Sequence, residues 1–148
     1  MAKPKKMRLF VPNIGDQLTL AADWTFILHP EDRNNTFWKR SGLPAYRTGW
    51  GQVVGDTQDT TDSICSVIRG PNATVFLEDT QGNQFSPEVT LPKGTILKCS
   101  RVYIRNGGQD MKDFASLTWS IAKCPDKKLK GRFWVKLADA NTMVIEAP

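Results

Sequence analysis

The sequence predicts a mainly β protein: a small antiparallel barrel or sandwich with at most one short helix. Three observations predict this class. Short runs of β-branched, aromatic and other apolar residues recur along the chain, clusters of Gly, Pro, Asn and Asp separate them, and only one segment carries helix signals. The 148 residues are enough for one domain with its own core. We assign residues 9–148 to a single β-rich domain and residues 1–8 to a basic N-terminal arm, and leave open whether that arm is disordered.

Eight runs have the composition of strands. They lie at residues 16–20, 24–28, 64–68, 73–77, 95–105, 114–121, 133–137 and 142–145. Turn clusters at residues 78–83 and 106–113 separate neighbouring apolar runs and predict hairpins. In the long run at residues 95–105, simple alternation puts Arg101, Tyr103 and Arg105 on the same face as Leu97 and Cys99.

The helix signals lie in residues 30–40. Pro30, Glu31 and Asp32 open this segment and Lys39 and Arg40 close it, so that acidic groups lie at the positive end of the helix dipole and basic groups at the negative end. Two Asn residues and one Thr weaken the helix propensity of its centre. The next segment, residues 42–62, has few apolar residues and predicts a long loop or an extended hairpin.

The composition argues against membrane, disulfide-rich and metal-binding classes. No run of about 20 apolar residues is present, and the apolar stretch after the basic N-terminus is too short for a signal peptide. We therefore expect a cytoplasmic protein that does not bind a membrane. Cys65, Cys99 and Cys124 are odd in number and form no CxxC pair, which favours free thiols, with Cys99 and Cys124 as small buried apolar residues. The single histidine, His29, has no ligand partner nearby in sequence, and we expect neither a metal nor a cofactor.

The net charge of +5 is distributed unevenly along the chain. Residues 93–136 hold eleven basic residues against three acidic ones, whereas residues 49–92 hold only Arg69 against six acidic residues. The basic segment also carries strand aromatics such as Tyr103 and Trp134. Basic groups beside exposed rings suit single-stranded nucleic acid, because the charges follow the phosphates and the rings stack on bases.

The candidate binding residues follow from this pattern. Arg101, Tyr103 and Arg105 lie two apart on one strand face, a lysine cluster occupies the turn before Arg132, and Trp50 lies between two glycines in a polar loop, where a tryptophan can anchor an interface. The full set is Arg101, Tyr103, Arg105, Lys127, Lys128, Lys130, Arg132 and Trp50. The alternative interpretation is that the strand aromatics belong to the core and the turn lysines are only solvated.

No recognisable catalytic motif is present. The motifs of serine hydrolases, zinc proteases, P-loop proteins and dinucleotide-binding proteins are absent. His29, beside Pro30, has no nucleophile and orienting acid in a known spacing. Asp56, Asp59 and Asp62, three apart in a polar loop, are typical of solvated carboxylates, with a weak cation site as the alternative. We predict that the protein is not an enzyme.

Four blocks of the sequence resemble segments of small uncharacterised phage and plasmid accessory proteins. They lie at residues 91–95 (LPKGT), 103–107 (YIRNG), 114–118 (FASLT) and 132–137 (RFWVKL), so that the resemblance is confined to roughly the last third of the chain. It implies an origin on a mobile genetic element and a partner that is nucleic acid or a host complex, including host defence machinery. It assigns no functional residue.

Three functions remain open on the sequence alone. The first is a non-catalytic protein that binds nucleic acid or a host nucleoprotein complex. The second is a protein–protein inhibitor of a host defence factor, acting through loops such as residues 42–62. The third is a barrel that binds a small molecule or nucleotide at its mouth. The acidic segment could also meet the basic segment of another copy, so self-association stays open as well. The first function is the prediction.

Overall fold

The strands predicted from the sequence form a mainly β structure. The computed structural model describes residues 6–8, 11–55, 64–71, 74–105 and 114–146. These residues form thirteen strands: β1 (Lys6–Arg8), β2 (Gln17–Thr19), β3 (Trp24–Ile27), β4 (Tyr46–Arg47), β5 (Val53–Val54), β6 (Cys65–Arg69), β7 (Val75–Glu78), β8 (Gln84–Phe85), β9 (Glu88–Leu91), β10 (Ile96–Arg105), β11 (Phe114–Lys123), β12 (Gly131–Lys136) and β13 (Val144–Glu146). Helix α1 (Asn35–Arg40) follows a 3-10 turn at Asp32–Asn34, and helix α2 (Leu137–Ala140) follows β12. The mainly β class and the helix predicted in residues 30–40 are confirmed.

Hydrogen bonds join the strands into four sheets. One sheet is antiparallel with the order β12–β11–β10–β2, and a second is mixed with the order β5–β4–β6–β7–β8, in which β4 and β6 are parallel. Two further pairs, β3–β9 and β1–β13, are antiparallel. Within the described ranges these sheets do not close into a barrel. The predicted hairpin at residues 78–83 is confirmed by the pairing of β7 with β8.

Sequence reasoning missed the shortest elements. Helix α2 is a second helix where the sequence allowed at most one, and it is a single turn of four residues that shows no helical period. Part of the segment at residues 42–62 forms the β4–β5 hairpin, while residues 56–63, and with them Asp56, Asp59 and Asp62, lie outside the described residues. Lys6–Arg8 from the N-terminal segment pairs with Val144–Glu146, and residues 1–5 lie outside the described part.

The core is built around stacked aromatic rings. The ring of Phe133 lies 5.0 Å from that of Phe26, with an angle of 8° between their planes, and 4.5 Å from that of Phe37. Trp24 packs on Phe26 at 4.4 Å, and its indole N–H donates to the carbonyl of Asp139 at 3.1 Å. Aromatic rings in such tilted and stacked geometries combine a large buried area with favourable ring contacts. Strand β12 is therefore fixed to β3 and α1 through Phe133.

A β-bulge reverses the face predicted for two candidate residues, Arg101 and Tyr103. Cys99 pairs with Trp119 but Arg101 pairs with Thr118, so Ser100 is an extra residue in β10. The alternation restarts after this residue. Leu97 and Cys99 face the core before it, whereas Arg101 and Tyr103 after it point away from the core. The prediction that Arg101 and Tyr103 share a face with Leu97 and Cys99 was therefore wrong. The side chain of Arg105 lies outside the described part of the chain.

Asn34 covers the outer edge of β12 in place of a fifth strand. The backbone N–H of Trp134 donates to Asn34 Oδ1 at 2.8 Å, and Asn34 Nδ2 donates to the carbonyl of Trp134 at 3.2 Å. The same nitrogen donates to the carbonyl of His29 at 3.2 Å. The carboxamide thus reproduces the pair of bonds that a neighbouring strand would make. It is fully buried, and it fixes the 3-10 turn, with Arg33, beside the sheet.

Candidate functional site

The outward surface of β10, β11 and β12 is polar, basic and partly aromatic. The register sets three cross-strand rows on this surface: Lys98–Ser120–Arg132, Arg101–Thr118–Trp134 and Tyr103–Ser116–Lys136. Directly paired residues point to the same side of a sheet, and the opposite side carries buried residues such as Leu117 and Phe133. We call the accessible part of this surface the basic face; it consists of Lys98, Ser100, Arg101, Tyr103, Thr118, Ser120 and Arg132. None of these seven side chains is acidic.

A cleft in the basic face lies between three arginines. It has a volume of about 300 Å³, and it is lined by Arg33, Ser100, Arg101, Thr118, Arg132, Phe133 and Trp134. We call it the arginine cleft. Ser100 and Ser120 share a hydrogen bond of 2.7 Å across the bulge, which fixes the strand beside Arg101. Guanidinium and hydroxyl donors that converge on one cleft are suited to a phosphate group.

The three guanidinium groups differ in how far their charge is compensated. Arg33 forms a bidentate ion pair with Glu31, with contacts of 2.7 and 3.1 Å, and its guanidinium carbon lies 5.4 Å from the centre of the Trp134 ring. Neither Arg101 nor Arg132 forms an ion pair with a carboxylate in the part of the chain that the structure describes. The uncompensated charge of the cleft is therefore that of Arg101 and Arg132.

Tyr103 supplies an accessible ring next to this charge. Its side chain is 38% exposed, and the guanidinium carbon of Arg101 lies 6.0 Å from the ring centre. This distance is at the outer limit for an attraction between a cation and a ring. Charge and ring lie on one strand, two residues apart, as the sequence predicts.

The other predicted site residues lie elsewhere. Lys127, Lys128 and Lys130 are exposed on the turn between β11 and β12, at the end of the sheet next to Arg132, and none of them lines the arginine cleft. The buried side chain of Leu129 anchors this turn in the core. Trp50 is 96% exposed at the tip of the β4–β5 hairpin, while the other four tryptophans are buried. The sequence interpretation of Trp50 as the tryptophan least suited to a core is confirmed.

His29 stacks against the buried side of the site. Its ring lies 4.8 Å from that of Trp134 with an angle of 13° between the planes, so Trp134 has an imidazole and a guanidinium as neighbours. Burial, together with the positive charges of Lys136 and Arg69, lowers the pKa of His29 from 6.5 to about 4. The ring is therefore neutral at physiological pH, and it acts as an apolar support for Trp134.

We expect the stability of the protein to fall on mild acidification because of His29. Between pH 6.5 and 4 the unfolded chain takes up a proton on this ring that the folded chain does not, so the free energy of unfolding decreases as the pH falls through this window. From pH 7 to pH 5 the expected loss is about 2 kcal/mol. Urea unfolding at both pH values measures it. His29→Phe keeps a ring against Trp134 and cannot titrate, and an equal pH dependence in this variant would contradict the assignment.

Several residues of the site were not found from the sequence. The sequence predicts Lys98 and Ser120 only as strand residues, and it predicts Arg33 as part of a helix. No feature of the sequence around Arg33 predicts that it lies near Arg101 and Arg132, because the hydrogen bonds between Asn34 and Trp134 bring these parts of the chain together. Lys98 could have been found, since it follows the buried Leu97 by one residue.

No protein-family model, curated protein or solved structure matches this chain. Function is therefore inferred from the geometry of the basic face. Within the described residues, none of the helices has the length and apolar character that crossing a membrane requires.

Proposed function

We propose that the protein is a non-catalytic binding protein for single-stranded nucleic acid, and that the strand lies across the basic face. One observation carries the proposal: Arg101 and Arg132, both without a carboxylate partner in the described residues, line one cleft beside the accessible ring of Tyr103. Guanidinium groups neutralise phosphates, and an accessible ring stacks on a base.

The ring of Tyr103 favours a single strand over a duplex. In a duplex the faces of the bases are covered by their neighbours, whereas in a single strand they are free to stack on a protein ring. The sheet also offers backbone-fixed hydroxyl groups, such as those of Ser120 and Thr118, within the same rows as the charges. These hydroxyls can donate to phosphate or sugar oxygens without reading a sequence.

Three parts of the wider prediction remain proposals. We place the binding activity in the cytoplasm, and the phage or plasmid origin rests on the resemblance of four short blocks. The target in a cell is either free nucleic acid or a host nucleoprotein complex that presents a single strand.

A fluorescence anisotropy titration tests the proposal. A labelled oligothymidine of about 20 nucleotides is expected to bind the protein more tightly than a duplex of the same length. If Lys98, Arg101 and Arg132 each neutralise one phosphate, the logarithm of the binding constant falls with the logarithm of the salt concentration with a slope of about −2. Binding that is independent of salt, or binding of the duplex alone, would contradict the proposal.

Removing the ring of Tyr103 is expected to weaken binding without changing the charge. Tyr103→Ala loses one stacking contact, which lowers the affinity for oligothymidine by about tenfold to a hundredfold. Tyr103→Phe keeps the ring and is expected to bind within about threefold of the wild type. The same anisotropy titration compares the two variants. Equal losses in both would mean that the hydroxyl group, and not the ring, makes the contact.

A further inference from the structure

A second and larger cleft lies on the other side of the Glu31–Arg33 ion pair. It has a volume of about 700 Å³. The residues that concern its chemistry are Asp32, Arg47, Thr48, Trp50, Ser66 and Arg69. We call it the Trp50 cleft. Glu31 lines the Trp50 cleft and Arg33 lines the arginine cleft, so the bidentate ion pair joins one residue of each cleft.

The hairpin between β4 and β5 holds Trp50 in solvent. Thr48 organises the turn, because its Oγ1 accepts hydrogen bonds from the backbone N–H groups of Trp50 at 3.3 Å and Gln52 at 3.1 Å. Gly51 has a φ of +83°, a conformation that favours glycine, and Arg47 donates to its carbonyl at 3.1 Å. Because Trp50 is 96% exposed, its ring contributes almost no burial free energy to the stability of the fold. The ring is instead presented at the mouth of the cleft.

The Trp50 cleft contains both acidic and basic side chains. The carboxylate of Asp32 accepts no hydrogen bond from another described side chain, and it lies near the phenol of Tyr46, whose pKa is raised to about 12 by burial and by this charge. Arg69 donates to the carbonyl of Pro30 at 3.3 Å, and Arg47 donates to that of Gly51, so each guanidinium keeps further N–H groups for a ligand. An indole and a carboxylate suit the face and the edge of a base, and two guanidinium groups suit the phosphate of the same nucleotide.

The carboxylate selects among the bases. Guanine presents two adjacent donors, N1–H and the N2 amino group, which a carboxylate can accept together. Adenine and cytosine place an acceptor nitrogen next to their amino group, and thymine places its N–H between two carbonyl oxygens. Each of these three edges brings an acceptor against the carboxylate. A stacked guanine is therefore the base that Asp32 accommodates best.

We propose that the Trp50 cleft binds one guanine of a strand that lies across the basic face. Trp50 stacks on the base, Asp32 accepts from its Watson–Crick edge, and Arg47 and Arg69 lie near its phosphate. The proposal rests on the proposed function for its strand, which would pass from the arginine cleft to the Trp50 cleft over the Glu31–Arg33 pair. It adds a base preference to a face that by itself reads no sequence.

The test compares oligothymidine with the same strand carrying one central guanine, adenine or cytosine. The wild type is expected to bind the guanine strand about tenfold more tightly than the others. Asp32→Asn is expected to remove this preference and to leave the affinity for oligothymidine within about twofold, whereas Trp50→Ala is expected to weaken the binding of all four strands by about tenfold, because the ring stacks on any base. Glu88→Gln removes an equal charge from an exposed position on β9 and serves as the matched control, which keeps the preference.

The outcomes separate this proposal from the proposed function. Oligothymidine binding without a guanine preference overturns the guanine site and leaves the basic face intact. If no strand binds, quenching of tryptophan fluorescence by guanosine 5′-monophosphate tests whether the Trp50 cleft binds guanine on its own. Quenching that Asp32→Asn abolishes supports the guanine site and contradicts strand binding by the basic face. No quenching contradicts both proposals. In that last case Trp50 is better explained as a contact for a protein partner.

Discussion

The double variant Arg101→Glu with Arg132→Glu is expected to bind a single-stranded oligonucleotide about a hundredfold more weakly at low salt. Both guanidinium groups line the arginine cleft, and neither has a carboxylate partner among the described residues. Each replacement turns an attraction to a phosphate into a repulsion, worth roughly 1–2 kcal/mol at an exposed position. The loss of two phosphate contacts also makes the salt dependence shallower, by about 1.4 in the slope.

The control for this variant must change the net charge equally. Lys39→Glu combined with Lys93→Glu does so at two exposed positions, one on α1 and one in the turn before β10, that do not line the arginine cleft. A much smaller loss is expected there, because only long-range attraction is weakened. Equal losses in the two double variants would mean that net charge, and not this cleft, attracts the strand. An unchanged affinity of the Arg101 and Arg132 variant would place the site elsewhere.

Asn34→Ala is expected to destabilise the fold by about 3 kcal/mol. The carboxamide makes three hydrogen bonds at a fully buried position, two of them to the backbone of Trp134. Alanine leaves a buried N–H and a buried carbonyl on β12 without partners, and each costs about 1–3 kcal/mol. The free energy of unfolding from urea titrations measures the change.

Two further variants serve as comparisons for the loss of stability in Asn34→Ala. Asn83→Ala, in the exposed turn between β7 and β8, is expected to cost about 0.5 kcal/mol. Asn34→Asp keeps the size of the side chain but removes both donors and buries a charge, so it is expected to cost more than Asn34→Ala. If Asn34→Ala costs as little as Asn83→Ala, the carboxamide does not replace a strand at the edge of β12.

The acidic and the basic segments of the chain contribute to different sheets. The acidic segment at residues 49–92 forms most of the five-stranded sheet, and the basic segment at residues 93–136 forms β10, β11 and β12. This could be predicted because the strands of each sheet are mostly neighbours in sequence and pair through hairpins. The count of basic residues over residues 93–136 therefore located the strands that carry Lys98, Arg101 and Arg132.

The orientation of the basic residues could not be predicted from alternation alone. The extra residue Ser100 shifts the pattern by one position, and its presence depends on how β10 pairs with β11. The local sequence does not predict such a bulge, because a serine at this position is also compatible with a regular strand. Without the bulge, Arg101 and Tyr103 would face the core beside Cys99, and the basic face would lack both of them.

The position of Arg33 beside the arginine cleft depends on Asn34. Asparagine lowers the helix propensity of residues 30–40. Its role is tertiary: it pairs with the edge of β12 and carries Arg33 to the sheet. Propensity describes the isolated segment, and it says nothing of a partner 100 residues further along the chain.

Residue-resolved NMR gives the most direct test of nucleic-acid binding by the basic face. Oligothymidine is titrated into isotope-labelled protein, and the shifts of the backbone amides are followed. We predict that the largest changes occur at Arg101 and Tyr103 on β10, Thr118 on β11 and Arg132 on β12, and that they disappear at high salt. Changes confined to β6, β7 and β8, or none at a protein concentration that saturates the strand, would contradict the account.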